Sequence, residues 1–533
     1  MERRDFLQRA TLVAGALAAP RAVTAQPSAT TAFDVEEATV ASLGQAMARG
    51  EITARLLTEA YLQRIAALDR SGPRLNSVIE VNPDALDIAA QRDRERAAGA
   101  TRGPLHGIPV LIKDNIDTAD RMKTTAGSLA MVDARPVRDA FVVERLRAAG
   151  AVLLGKTNLS EWANFRSSHS TSGWSARGGL TRNPYALDRN PCGSSSGSGV
   201  AVAANLCAVA IGTETDGSII CPSARNGIVG VKPTVGLVSR SGIIPISSSQ
   251  DTAGPMCRTV ADAAVLLGVI AGADPRDAAT GARPRGGPAD YMAALRVEAL
   301  AGARIGVMRN FFGSDPRVDA AVEQAVAAIA VAGAVIVDPA DLPTRGAFGE
   351  AEFEVLLYEF KDGLNAYLAG LGDGAPMTSL ADLIAFNEAH AADEMPYFGQ
   401  DLFVRAHEKG SLREKSYRDA RAKARRLSRE EGLDAVFRRH RVDALIAPSG
   451  GPAWLTDLVN GDAGTGGSSG PAAVSGYPSI TVPAGHVFGL PIGVSFIGPA
   501  WSEATLLGYA FAFEQATKAR RAPEMLPSAR LDA

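Results

Sequence analysis

The chain has 533 residues, 46% of them hydrophobic and 21% charged, an ordinary globular composition with enough length to bury a large core. A formal net charge of -3 at pH 7 supplies neither a basic face for nucleic acid nor an acidic tail, so partners have to be read from sites and no nucleic acid is expected. The six histidines (106, 169, 390, 407, 440 and 486) form no His-x-x-x-His pair, and Cys192, Cys207, Cys221 and Cys257 lack metal-ligand spacing, so neither a metal site nor a cofactor is expected.

The N-terminal stretch "MERRDFLQRATLVAGALAAPRAVTAQ" combines paired Arg3 and Arg4, then Phe6 and Leu7, with a weakly apolar run from Thr11 to Ala19 and small residues at Val23-Thr24-Ala25. This reads as a twin-arginine export signal over residues 1–25, with the mature chain starting near Gln26 in the periplasm or outside the cell. The apolar run is too short to span a bilayer, so no stable membrane insertion is expected after its removal. That route carries folded protein, and a chain of this size needs no staples, so the four cysteines need not form a disulfide framework.

The first element after the signal is a surface helix in "ITARLLTEAYLQRIAALDRSGP". There Leu56, Leu57, Ala60, Tyr61, Ile65 and Leu68 recur at helical spacing between an N-cap at Thr53 and a stop at Gly72-Pro73. "NSVIEV" reads as a short strand, and Pro83 opens a helix to about Ala98. The chain then alternates: "GIPVLIKD" is a strand, "VRDAFVVERLRAAG" a helix ending at Gly150, and "AVLLGK" a strand. This order predicts an α/β sheet with parallel pairs. "SGVAVAANLCAVAIGTE" is a small-residue helix running into a buried strand, and "GIVGVKPT" is a further extended piece. From about 272 to 441 the pattern is mainly helical, with one strand-helix-strand unit from "ARIGVM" to "AVIVD" and a charged, solvated helix in "LREKSYRDARAKARRLSREE". "VDALIAP", "SITVPA" and "IGVSFIG" return to the sheet pattern, and a closing helix runs from about Glu503 to Lys518. The glycine-rich "NGDAGTGGSSGPAAVSG" is a loop beside strand ends, where sites tend to be lined.

Within this frame stands "NPCGSSSGSG", Asn190 to Gly199. Its Gly193-Ser194-Ser195-Ser196-Gly197 window satisfies G-x-S-x-G, but the preceding "NPYALDRNPC" carries two prolines and cannot be the strand that an esterase nucleophile turn requires. The lysine of a phosphate loop is absent, and a flexible linker does not feed directly into a compact apolar helix. A second turn, Asp216-Gly217-Ser218, follows the strand "CAVAIG"; a serine there has an open hydroxyl and free backbone N–H groups able to form an oxyanion hole. No histidine is near either turn, so the base has to be another residue. Lys113 ends the apolar run "GIPVLIK": a lysine there usually exits to solvent, but one kept buried loses its proton near neutral pH and becomes a usable base.

The blocks "GIPVLIKDN", "TRNPYALDRNPCGSSSGSGVAVAAN", "GTETDGSIICPSARNGIVGVKPTVGLVSRSGIIP", "QDTAGPM", "SITVPAG" and "GLPIGVSFIG" together resemble the amidase signature family of hydrolases. The resemblance implies a single large α/β domain: a mixed, mostly parallel twisted sheet covered by helices on both faces. It implies a catalytic domain over 26–520 and a flexible tail over 521–533. It further implies Lys113 as base, Ser194 as a bridging serine in a cis peptide, Ser218 as nucleophile, and an oxyanion hole from the backbone of Thr215, Asp216, Gly217 and Ser218. Ser195 would support the bridge by hydrogen bonding.

The sequence departs from the commonest pattern of that family: Cys192 and Ser196 replace glycines, Glu214 an aspartate, Asp216 a glycine and Ile220 an arginine. The Thr-Asp-Gly-Ser-Ile-x-Cys-Pro version is similar to the bacterial peptide amidase branch, which removes the amide from peptide C-termini. The implied activity is therefore hydrolysis of a carboxamide through an acyl-enzyme, with a peptide or small-molecule amide as substrate. An aliphatic or aryl amidase and an esterase are alternatives on the same residues, and an amidotransferase subunit is disfavoured by the export signal. Cys221 is expected to be a small buried thiol rather than a rival nucleophile. Pocket walls are expected at Met122–Ser128, Trp162–Trp174 and Trp454–Gly476.

Overall fold

The computed structural model describes residues 33–284, 290–372 and 375–531; the expected export signal lies outside them. Residues 34–533 form one compact unit with no further boundary. Among the described residues thirteen strands occur in chain order: β1 Val78–Val81, β2 Pro109–Lys113, β3 Val152–Thr157, β4 Trp174–Ser175, β5 Gly179–Leu180, β6 Val209–Glu214, β7 Val229–Lys232, β8 Thr252–Cys257, β9 Arg304–Val307, β10 Val335–Val337, β11 Ala444–Pro448, β12 Ser479–Val487 and β13 Leu490–Ile497.

Eleven of them build one sheet in the order β1-β3-β2-β6-β8-β7-β12-β13-β11-β9-β10, while β4 and β5 pair separately. The sheet is mixed. Its parallel pairings are β2 with β3, β2 with β6, β9 with β11 and β9 with β10. Between those two blocks, neighbours from β6 to β11 are antiparallel, and β12 and β13 are joined by a tight turn at Phe488 and Gly489. Every residue of β2, β3, β6 and β13 is buried, which explains why these strands read as unbroken apolar runs rather than alternating ones.

Helices flank the sheet. Ala54–Arg64 starts where Thr53 Oγ1 accepts from the Leu56 amide at 3.1 Å, and Glu503–Thr517 packs against β12 and β13. The helix Ser196–Ala203 is buried along its whole length against β2, β3, β6 and β8. It comes this close because it begins with small residues: a Cβ on Gly197 would stand 2.3 Å from the Ser77 carbonyl oxygen and 2.4 Å from that of Asn158.

The mainly helical middle section includes Gly349–Ala369, whose Leu356, Leu357, Phe360 and Leu364 pack with Trp162, Phe165 and Phe403 into a second apolar core. The strand-helix-strand unit within it is present as β9, the helix Pro316–Val331 and β10. The segment expected as a flexible tail from 521 onward is anchored at its start. Residues 521–526 are tied to the loop at 184–187, where Tyr185 Oη donates to Arg521 O at 2.5 Å, Met525 N to Pro184 O at 3.0 Å and Leu187 N to Leu526 O at 2.8 Å.

Candidate active site

β2 delivers Lys113 into the interior. Its side chain is fully buried, and Nζ lies 2.7 Å from Ser194 Oγ, 2.9 Å from Thr213 Oγ1 and 3.3 Å from Thr213 O. The parallel pairing of β2 with β6 creates this contact, because it sets Ile112 opposite Ile211 and so brings the ends of the two strands together. The solvent exit that a strand-end lysine usually takes is not followed, since β2 is covered on both faces. Burial pushes the Lys113 ammonium down to about 7, against the opposing pull of the Asp251 and Glu214 charges. Nζ donates to all three oxygens; on losing one proton it keeps two N–H groups for the two Thr213 oxygens and frees a lone pair to accept from the Ser194 hydroxyl.

Ser194 is itself fully buried, and the peptide joining it to Gly193 is cis. Ser195 does not touch Ser194 through its side chain. Its hydroxyl donates to Thr213 O at 3.0 Å and accepts from Thr213 N at 3.1 Å, so it is linked to Ser194 only indirectly, through Thr213 of β6, whose oxygens receive Lys113 Nζ. Ser218 lies at the second turn, and Ser195 N donates to its carbonyl at 3.2 Å, which ties the two serine turns together through the backbone. Among the described residues Ser218 Oγ has no hydrogen-bond partner, and no hydroxyl contact joins it to Ser194. Such contacts commonly tighten only when substrate is bound.

The amides of Asp216, Gly217 and Ser218 have no acceptor among the described residues, and Gly217 has φ +80°, so the turn exposes donors of the kind an oxyanion hole requires. Thr215 anchors this turn: its hydroxyl donates to Asp251 at 2.6 Å, and its carbonyl accepts from Gln250 Nε2 at 3.2 Å. Glu214 Oε2 accepts from the amides of Ile219 at 2.6 Å and Ile220 at 2.9 Å, which holds the helix Ile220–Arg225 behind the turn. Ile220 is buried, so apolar packing occupies the place where the commoner pattern has arginine.

Sequence reasoning assigned no role to Thr213, Asn115 or Asp251. Asn115 Nδ2 donates to Thr213 Oγ1 at 3.1 Å, and Asp251 receives Ile246 N at 2.8 Å and Ser247 N at 2.9 Å besides Thr215. All three lie inside the blocks that carried the family resemblance, so the signal was present. Together with Ser194, Ala163 and Ile244 they line a narrow cavity beside the lysine.

The free-thiol expectation for Cys221 is corrected: Cys221 and Cys192 form a disulfide, with Cα atoms 6.0 Å apart. The fold sets the Pro191–Gly193 turn against the helix that follows Ser218, where Asn226 Nδ2 donates to Pro191 O at 2.9 Å. Cys207 and Cys257 are free and buried. Two of the expected walls, Trp162–Trp174 and Trp454–Gly476, meet each other: Ser172 N donates to Asp462 at 3.0 Å and Thr171 Oγ1 to Asp457 O at 3.1 Å. Met122–Ser128 is attached to the first of them, because Trp162 N donates to Ala126 O at 2.9 Å. Among the described residues no group of His, Cys, Asp and Glu is arranged to hold a metal ion.

A family model described as Amidase matches residues 56–507. The native peptide amidase from Stenotrophomonas maltophilia, solved by X-ray crystallography, is 57% identical and superposes with a TM-score of 0.87, over 92% of this chain and 99% of that one. A structure of the peptide amidase PAM with the competitive inhibitor chymostatin, also 57% identical, gives a TM-score of 0.90 over 92% of this chain and 100% of the other. A probable amidase of Arabidopsis thaliana is 42% identical over 506 residues, 93% of each chain.

Proposed function

Because the chain belongs to the amidase family and is an amide-hydrolysing enzyme, we propose that it releases ammonia from the C-terminal carboxamides of peptides, using Lys113, Ser194 and Ser218. The observation that carries this reading is the buried Lys113 Nζ at 2.7 Å from Ser194 Oγ, with its proton affinity lowered to about 7. The peptide preference draws on the 57% identity to the two peptide amidase structures.

In the first half-reaction Ser218 Oγ attacks the carboxamide carbon. Its proton passes to Ser194 Oγ as the Ser194 proton passes to Lys113 Nζ. The amides of Asp216, Gly217 and Ser218 stabilise the oxyanion. The C–N bond then breaks as the proton returns through Ser194 to the leaving nitrogen, which departs as ammonia. Water repeats the sequence at the acyl ester and releases the peptide acid together with free Ser218.

We further infer that residues 1–25 direct export, so that the mature enzyme works in the periplasm or outside the cell, where the Cys192–Cys221 bond persists. Ammonia release measured over a panel of C-terminal peptide amides, set against small aliphatic and aromatic amides, tests the substrate reading. Turnover of the peptide amides is expected, and turnover of the small amides alone overturns it.

A further inference from the structure

Asp216 stands in the nucleophile turn, two residues before Ser218, where the commoner pattern of the family has glycine. Its side chain is exposed, unlike that of neighbouring Glu214. It lies beside Glu352, from the first turn of the helix Gly349–Ala369, and beside Ser469 and Gly470 of the glycine-rich loop, where a Cβ on Gly470 would stand 3.6 Å from Asp216 Oδ2. Gln250 Nε2 donates to Glu352 Oε1 at 2.9 Å and also holds the Thr215 carbonyl, so the second carboxyl is fixed to the same turn. Two carboxyl groups set side by side resist double ionisation, so the pair together carries about one negative charge near neutral pH. Enclosure in the cleft and the neighbouring Asp216 charge both push the Glu352 carboxyl up from its ordinary value, and the same enclosure pushes Asp216 up as well.

The surrounding charges do not cancel this one. Lys232, on β7, directs its ammonium to Pro233 O at 3.0 Å and Tyr477 O at 2.6 Å and lies among Glu214 and Glu503 as well as Asp216. Arg240 is engaged by Asp277, and Asp251 adds a further carboxyl on the Lys113 side. Glu214 is occupied by the amides of Ile219 and Ile220.

A charge in this position addresses a problem set by the reaction. A carboxamide and the carboxylate it becomes have nearly the same shape, so apolar walls cannot separate them. The free amides at Asp216, Gly217 and Ser218, which favour an oxyanion, would also hold the product carboxylate. We propose that the Asp216–Glu352 carboxyl pair is a specificity device that admits the neutral carboxamide, repels the carboxylate, and thereby limits product inhibition. The inference rests on the reading above only for the identity of that product.

The test compares two inhibitors of the whole enzyme: the peptide acid made from a turned-over peptide amide, and the same peptide ending in a neutral alcohol. The readout is the ratio of their inhibition constants, which does not depend on how far a substitution lowers turnover. In wild type the acid is the weaker inhibitor. In the double variant Asp216→Asn/Glu352→Gln the ratio of acid to alcohol constants falls about tenfold, the scale of one unit charge across a short, partly enclosed distance. Asp216→Gly, which restores the commoner residue, moves the ratio the same way and serves if the double variant does not fold. A ratio unchanged within about twofold overturns the proposal, as does a parallel shift of both constants. If wild type hydrolyses small amides but no peptide amide, the peptide reading fails alone, and the acid and alcohol of the amide that is turned over complete the same test.

Discussion

Lys113 Nζ and Ser194 Oγ lie 2.7 Å apart although 81 residues separate them in the chain, and both side chains are fully buried. That contact exists because β2 and β6 run parallel side by side, and because the helix Ser196–Ala203 seats the serine turn above their ends. The proposed base is thus supplied by the sheet and the proposed bridge by the loop that precedes this helix.

Ser218→Ala is expected to lower kcat/KM at least about a thousandfold, and Ser194→Ala and Lys113→Met by comparable factors, because groups that act as one unit are not additive. Steady-state rates of ammonia release give the losses, and the triple variant should be little worse than Ser218→Ala. Circular dichroism melting of Lys113→Met should stay near wild type, since methionine replaces the buried stem without leaving a cavity.

The pH profile follows from the direction of the Lys113 shift. The base has to be unprotonated, so kcat/KM rises with pH through about 7 and levels above it. Asp251 opposes the lowering, so Asp251→Asn should move this limb to lower pH even though kcat falls as the Thr215, Ile246 and Ser247 contacts are lost. A limb that stays in place or moves upward would remove Asp251 from the account.

The Cys192–Cys221 bond closes the chain segment from the bridge turn to the helix behind Ser218, a sequence separation of 29. Reduction, or the pair Cys192→Ser/Cys221→Ser, should lower stability by about 3 kcal/mol and reduce activity as the two turns loosen. Thermal melts with and without reductant measure it. Alkylating reagents should leave the oxidised native enzyme active, since Cys207 and Cys257 are buried.

Gly197→Ala should destabilise by at least about 2 kcal/mol, because the added methyl meets backbone oxygens of Ser77 and Asn158 that belong to the sheet region and cannot swing aside. Urea unfolding of this variant, with Gly464→Ala in open space as the control, separates steric conflict from a general effect of losing glycine.

Much of this arrangement was legible in the sequence. Long apolar runs such as those of β2, β6 and β13 are strands buried on both faces, and Thr53 marked a helix start that the structure keeps. β8 was harder to see: Gly254 and Pro255 disguise "TAGPMC", and proline is tolerated there because pairing with β7 reaches only Met256 and Cys257. The Cys192–Cys221 bond and the Asp216–Glu352 contact were hidden for another reason. Each joins segments that neither periodicity nor spacing relates, and only the sheet order and the placement of the helix Gly349–Ala369 bring them together. Thr213, Asn115 and Asp251 were in view but carried no distinguishing chemistry of their own until the buried amine of Lys113 gave them something to hold or to polarise.

The most direct test is to find where the acyl group rests. The enzyme is mixed with an activated ester of a short peptide, quenched in acid during the initial burst, digested, and mapped by mass spectrometry. One acyl group per chain is expected, on Ser218, and none in the Ser218→Ala variant; an adduct on Ser194 or on any other residue contradicts Ser218 as the nucleophile.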